Sequence, residues 1–177
     1  MEIKCIFAPY LYAFKFNGRD LDEYKLAIDQ WNNIEYLKTF HKNNLSYIKG
    51  NQYFPDHELI GFVDFITSNA EIFDDEIIAA AEAGNLIDHF HVLTKTKNFR
   101  EILPQKKSRQ NILRFYGIML GEAIIITGSA IKLTERMKDH PDTDKQITKL
   151  ESVQDFLIQN EVRDEESFFE YLEDNQL

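Results

Sequence analysis

The hydrophobic and polar positions of this chain divide it into strand-like and helix-like stretches. Lys4 to Phe16 is dense in Ile, Phe, Tyr and Leu and stops at Asn17-Gly18, which predicts an opening strand ended by a turn. Pro9 lacks an amide proton, so it marks an edge, a bulge or a strand start. From Asp20 to about Asn43, Leu21, Tyr24, Ile28, Trp31 and Ile34 or Glu35 recur at spacings of three and four, the pattern of one apolar helix face. Asp20 and Glu23 form a capping-box-like start. Trp31 lies on the stripe, which favours a core anchor over a base-stacking platform. Leu45 to Tyr53 is ambiguous. Pro55-Asp56 opens a second helical region with Leu59, Phe62, Val63 and Ile66 on its apolar face, and Thr67-Ser68-Asn69 is a candidate break. Asp74-Asp75-Glu76 starts a shorter helix that stops at Gly84-Asn85.

The second half is more β-like. Leu86 to Thr94 alternates imperfectly and reads as a strand, and residues 95 to 110 form a basic connector. Asn111 to Thr134 then reads as two strands joined by a tight turn at Leu120-Gly121-Glu122. Pro141-Asp142-Thr143 introduces a helix, with Thr143 and Gln146 as a second capping-box pattern and Ile147, Leu150, Val153 and Leu157 on its buried face. Residues 161 to 174 hold seven acids around Phe168, Phe169 and Leu172, a short acidic amphipathic helix. The expected fold class is α+β: a small, mainly antiparallel sheet packed against several helices. Trp31, Ile28, Phe62, Ile66, Ile125, Leu150 and Val153 are the expected core. At 177 residues, with no Gly/Ser-rich linker, the chain reads as a single domain over 1–177.

Composition narrows the function classes. Fourteen Phe and eight Tyr argue against disorder. The apolar runs, Ala123 to Ile126 among them, are far too short to span a bilayer, and the N-terminus lacks an apolar signal region, so no membrane partner and a cytoplasmic location are expected. Cys5 reads as a buried strand thiol. The net charge is −10, but Lys95 to Lys138 carries ten Lys and Arg against three acids, a local balance of +7. Such an island attracts an anion locally, unless it pairs with the protein's own carboxylates.

Most familiar chemistry is absent from the sequence. It has no phosphate-binding glycine loop, dinucleotide fingerprint or Cys/His zinc spacing. Gly128-Ser129-Ala130 is not a nucleophile elbow. His89 and His91 would share a strand face but lack a partner set, so no metal and no cofactor are expected. What remains is cationic and aromatic. Arg114, Tyr116, Lys132 and Arg136 lie on or beside the hairpin, and Lys106, Lys107 and Arg109 just before it. Period-two geometry puts Arg114 and Tyr116 on one face, and Arg114, Tyr116 and Lys132 are expected on one partly exposed surface. Such a group suits metal-independent RNA cleavage: a base takes the 2′-hydroxyl proton and cations stabilise charge growing on the phosphate. Arg offers bidentate donors, and Tyr or Arg can stack on a base.

Leu113-Arg114-Phe115-Tyr116, the turn at Gly121, the aliphatic run Ile124-Ile125-Ile126 and Gly128-Ser129-Ala130-Ile131-Lys132-Leu133-Thr134 resemble the RelE/ParE-like toxin superfamily, closest to its HigB-type branch. Pro141-Asp142-Thr143 and the Trp31 helix after an N-terminal strand fit the same arrangement. The resemblance implies a RelE/ParE-like core in about 1–45 and 85–160, a helical insertion at about 55–84 and an added acidic helix over 161–177. It implies the toxin of a bacterial toxin–antitoxin system: an mRNA-cleaving ribonuclease with mRNA or the ribosome as target and an antitoxin protein as partner. Arg114, Lys132 and Tyr116 would then be catalytic, and Lys106, Lys107, Arg109 and Arg136 would bind RNA. The chain departs from the family in its acidity and length, and in carrying Lys132-Leu133 where a Lys-Lys pair is frequent. The alternative is a non-catalytic protein-interaction module on the same fold. The acidic tail either reaches the basic island and masks it or is a solvated terminal helix.

Overall fold

The computed structural model describes residues 1–51, 54, 57–93, 99–102 and 112–175. The opening stretch forms two strands, β1 (Glu2–Phe7) and β2 (Leu11–Lys15), because the chain turns at Ala8–Tyr10 around Pro9. The expected single helix is two, α1 (Glu23–Asn32) and α2 (Ile34–Asn43). Asn33 leaves the helical region at φ −91°, ψ 109°, ends α1, and caps α2 by accepting from Tyr36 N at 2.9 Å. Asp22, not Asp20, caps α1, accepting from Tyr24 N and Lys25 N. Leu21 is therefore outside the helix and exposed.

The ambiguous segment contains α3 (Leu45–Lys49), and α4 (Leu59–Glu82) runs unbroken through both regions expected to be separate helices. Thr67 Oγ1 donates to Val63 O at 3.0 Å and Asn69 Nδ2 to Phe65 O at 2.7 Å, so these polar side chains bond back to their own helix instead of ending it. A 3₁₀ turn (Leu86–His89) precedes β3 (Phe90–Val92), which leaves His89 outside the strand expected to carry it. Then come β4 (Phe99–Ile102), β5 (Leu113–Leu120), β6 (Ala123–Ile131), a 3₁₀ turn (Met137–Asp139), α5 (Pro141–Gln159) and α6 (Glu165–Asp174).

The six strands form one sheet in the order β1-β2-β6-β5-β4-β3. The fold class is α+β, but the sheet is mixed: β2 pairs in parallel with β6, and the other pairings are antiparallel. The parallel pair arises because the chain leaving β2 passes through α1–α4 before returning, a long crossover of the kind parallel neighbours require.

Helices cover both faces. Leu11, Ala13, Leu113, Phe115, Ile124 and Ile126 pack with α1–α4 on one face. Tyr12, Phe14, Tyr116, Ile118, Ile125 and Ala130 pack with α5 and α6 on the other. Double coverage explains why the central strand β6 is an almost continuous apolar run. Trp31, Phe62, Ile66, Ile125, Leu150 and Val153 are fully buried as expected, and Ile28 is partly buried against them. α4 is central to the first face through Phe62, Ile66, Phe73 and Ile77, and Phe73 packs on both Trp31 and Phe115. Cys5 is exposed, contrary to expectation, because β1 is an edge strand on which only Ile3 is fully buried.

Candidate anion-binding end of the hairpin

The β5–β6 hairpin turns at Gly121-Glu122, with Leu120 opposite Ala123. Gly121 has φ +61°, the left-handed value needed at the first central position of such a turn. Continued regularly, this register would set Arg114 opposite Ser129 and place Lys132 on the other face. The strand does not continue regularly. Tyr116 pairs with Gly128 but Gly117 pairs with Ile126, so Thr127 is an extra residue on β6. The buried Thr127 hydroxyl donates to Tyr116 O at 3.3 Å.

This bulge re-phases the rest of β6. Arg114 now lies opposite Ala130, and Lys132 N donates to Ile112 O at 2.7 Å. By register, Arg114, Ala130 and Lys132 share the α5–α6 face, while Ile131 and Leu133 join the core on the other side. Glycines keep the bulge compact. A Cβ at Gly117 would meet Ile125 O at 2.8 Å, and one at Gly128 would collide with Gln146 Oε1 from α5.

The candidate residues are placed differently from one another. Arg114 and Lys132 are partly buried at the open end of the hairpin, and Arg114 Nη1 donates to Leu113 O at 2.8 Å. Tyr116 shares their face but is 0% exposed, deep against Ile118 and Leu150, so the expectation of a partly exposed tyrosine is not met. It shapes the ground beneath Arg114 instead of offering its ring to solvent. Arg136 is exposed in the loop that follows Lys132. Lys106, Lys107 and Arg109 lie outside the described residues.

That loop is pinned by polar bonds the sequence did not suggest. Asn51 Nδ2 donates to Leu133 O at 3.3 Å, and Thr134 Oγ1 to Arg136 O at 2.9 Å. His140, not Thr143, caps α5: its Nδ1 accepts from Asp142 N at 3.2 Å, with Pro141 in the first helical position. His140 Nε2 then donates to Asn44 Oδ1 at 2.7 Å, and both side chains are buried. The two bonds require a neutral ring with its proton on Nε2. Burial pushes the His140 value down, more than the nearby Asp142 carboxylate raises it, and Lys145 lowers it further. Histidine is not among the common cap residues, so the only sequence signal was Pro141.

A second polar pair, partly buried, joins α5 to α1. Lys149 Nζ of α5 donates to Glu23 Oε2 of α1 at 2.6 Å, with Glu23 2% exposed. At the turn end of the hairpin the chemistry is acidic. Glu165 Oε1 of α6 accepts from Glu122 N at 3.0 Å, and its side chain lies against Gly121. Phe168 and Leu172 anchor α6 in the core, with Phe168 edge-on to Tyr12 at 5.0 Å. At about 3.3 Å of rise per residue, Gly121 is about 23 Å from Arg114, so Glu165 is held away from the Arg114–Lys132 end.

Among the described residues no group of three His, Cys, Asp or Glu side chains is placed to hold a metal ion, and no helix is long and apolar enough to cross a membrane. His89 is held below its usual value by burial, which outweighs the opposing pull of Glu76 and Asp88. No family model, no curated protein and no solved structure matches the chain.

Proposed function

We propose that this chain is a toxin of the RelE/ParE-like type that acts on RNA, with Arg114 and Lys132 holding a backbone phosphate. The observation that carries the reading is the bulge at Thr127, which brings two cations from separate strands onto one face at one end of the sheet. An internal 2′-hydroxyl, giving its proton to water, would attack the adjacent phosphorus and expel the 5′-oxygen, which takes a proton from water, leaving a 2′,3′-cyclic phosphate and a free 5′-hydroxyl. Arg114 and Lys132 would stabilise the charge growing on the non-bridging oxygens, a task suited to preorganised cations at a partly buried site. Arg136 on the neighbouring loop would extend the contact along the strand. A small antitoxin protein covering this end would be the natural inhibitor.

A second reading has its own support. Tyr116 is fully buried, so it offers no proton acceptor or donor to a bound strand in this conformation. A protein with the cations but no tyrosine at the phosphate would bind an anionic partner without cleaving it. Induced expression with a growth readout separates the two, with wild type beside the Arg114→Ala/Lys132→Ala double variant. Arrest by the wild type and its loss in a folded double variant supports the toxin reading. Normal growth with the wild type, alongside retained RNA binding by the purified chain, leaves the interaction module.

A further inference from the structure

The pinned loop that carries Arg136 runs from the cationic end of the sheet into a cleft of roughly 430 Å³ between α2, α3 and the first turn of α5. Tyr36, Asn43, Tyr47, His140, Pro141 and Asp142 line it, and its size falls in the usual range for small-ligand sites. The floor is rigid. His140 and Asn44 are buried and bonded to each other, and Asn44 Nδ2 donates to Phe40 O at 2.9 Å. Both His140 nitrogens are therefore committed, which leaves the polar groups at the mouth to a ligand.

Those groups have a definite character. Tyr47 is 39% exposed, lines the cleft as an aromatic wall and packs T-shaped with the His140 ring, centroids 4.8 Å apart. Burial, with a smaller push from Asp142, raises the Tyr36 hydroxyl to about 12, so it stays neutral. Asp142 is the one acid among the lining residues and stays 42% exposed, loosely balanced by Lys145 at 3.6 Å. A flat wall, an amide and a carboxylate suit a planar heterocycle bearing adjacent N–H donors.

We infer that this cleft receives one unstacked nucleobase of an RNA strand whose backbone lies on the Arg114–Lys132 end, and that guanine fits it best. This rests on the RNA reading above and adds the part that reads the base. Single-stranded RNA is recognised by stacking on aromatic side chains and by hydrogen bonds to exposed base edges. Guanine presents N1–H and the 2-amino group side by side, a pair that one carboxylate accepts together. Adenine, cytosine and uracil lack that pair.

The test uses the full chain and unmodified nucleosides, which need no phosphate contact. Guanosine, inosine, adenosine, cytidine and uridine are titrated while the His140 ring protons are followed by NMR, in wild type, Tyr47→Ala and Asp142→Asn. Guanosine is expected to bind best, and inosine, lacking the 2-amino group, more weakly. Tyr47→Ala is expected to weaken guanosine about tenfold or more, as loss of a stacking platform does. Asp142→Asn is expected to erase the preference for guanosine over inosine. No shift with any nucleoside, or shifts indifferent to both substitutions, overturns the inference. A parallel arm measures a short single-stranded RNA containing one G or one inosine. If RNA binds and is lost in Arg114→Ala/Lys132→Ala yet ignores the base and Tyr47→Ala, the base site falls alone. If guanosine binds the cleft while RNA does not bind the chain, the RNA reading falls and the cleft stands.

Discussion

The two ends of the β5–β6 hairpin come from the same pair of strands and differ in what lies between them. At the turn end the register is regular, Gly121 takes the tight position, and the Glu165 carboxylate of α6 closes on Glu122 N. At the open end the register has slipped by one residue at Thr127, and that slip puts Arg114 and Lys132 on one face. One end is a structural clasp, and the other sets two partly buried cations on one face. The lesson is that a single extra residue in an otherwise aliphatic strand decides which side chains share a site, because side-chain direction has a period of two.

The largest loss is expected from Leu150→Ala, on the helix that covers the face shared by both ends, at about 2–5 kcal/mol in denaturant unfolding. A loss below about 0.5 kcal/mol would mean that α5 does not pack on the sheet. Deleting Thr127 probes the bulge itself. With the extra residue gone, Gly128 follows Ile126 in plain alternation, so Arg114 stays opposite Ala130 and Lys132 keeps its face. The buried hydroxyl's bond to Tyr116 O is lost, at an expected cost of about 1–3 kcal/mol, with RNA affinity retained. Loss of RNA binding in a folded deletion variant would show that the local bend, and not the shared face alone, makes the site.

Smaller effects separate the two ends. Gly121→Ala places a side chain at φ +61° and displaces Glu165, with an expected loss of about 1–3 kcal/mol and unchanged RNA affinity. His140 links the open end to α2 and α3, and its effect depends on pH. Its folded-state value is lowered below the usual value of about 6.5, so its stabilisation is complete above about pH 6.5. That stabilisation is lost as pH falls through the unfolded value toward the folded one, because the unfolded chain takes up the proton first. His140→Ala is expected to cost about 0.5–2 kcal/mol at neutral pH and to flatten the fall in stability on acidification. An unchanged slope in the variant would place the titration elsewhere. The smallest effect is expected from Glu166→Gln on the acidic helix. With Phe168 and Leu172 anchored and Glu165 at the turn, the tail does not mask the open end, so RNA affinity should not change. Tighter binding that shrinks as salt rises would restore a masking role.

Much of this was legible in the sequence. The hairpin turn followed from Gly121, α5 from Pro141 and its stripe, α6 from Phe168 and Leu172, and the core from Trp31, Phe62 and Val153. The misses have physical causes. Asn33 and Asn69 are the same residue type, yet one breaks a helix and the other bonds back into it, and only tertiary packing decides between those outcomes. The parallel β2–β6 pair is a non-local choice with no local signature. Gly128 after Thr127 was a usable hint, since glycine inside a strand often marks a bulge. Without the bulge the period-two argument for one face does not hold, so Arg114 and Lys132 come together for a reason that alternation alone does not supply. Tyr116 was placed on the correct face, but its depth depends on α5, which lies far along the chain.

The central claim is that Arg114 and Lys132 form one phosphate-binding unit. The most direct measurement is the salt dependence of single-stranded RNA binding for wild type, Arg114→Ala, Lys132→Ala and the double variant, each confirmed as folded. Each single substitution should weaken binding and lower the slope of log affinity against log salt by about 0.7, the usual contribution of one phosphate contact to a single strand. The double variant should fall short of the sum of the two losses, as expected of two residues sharing one anion. Wild-type affinity and slope in all three variants would contradict the account.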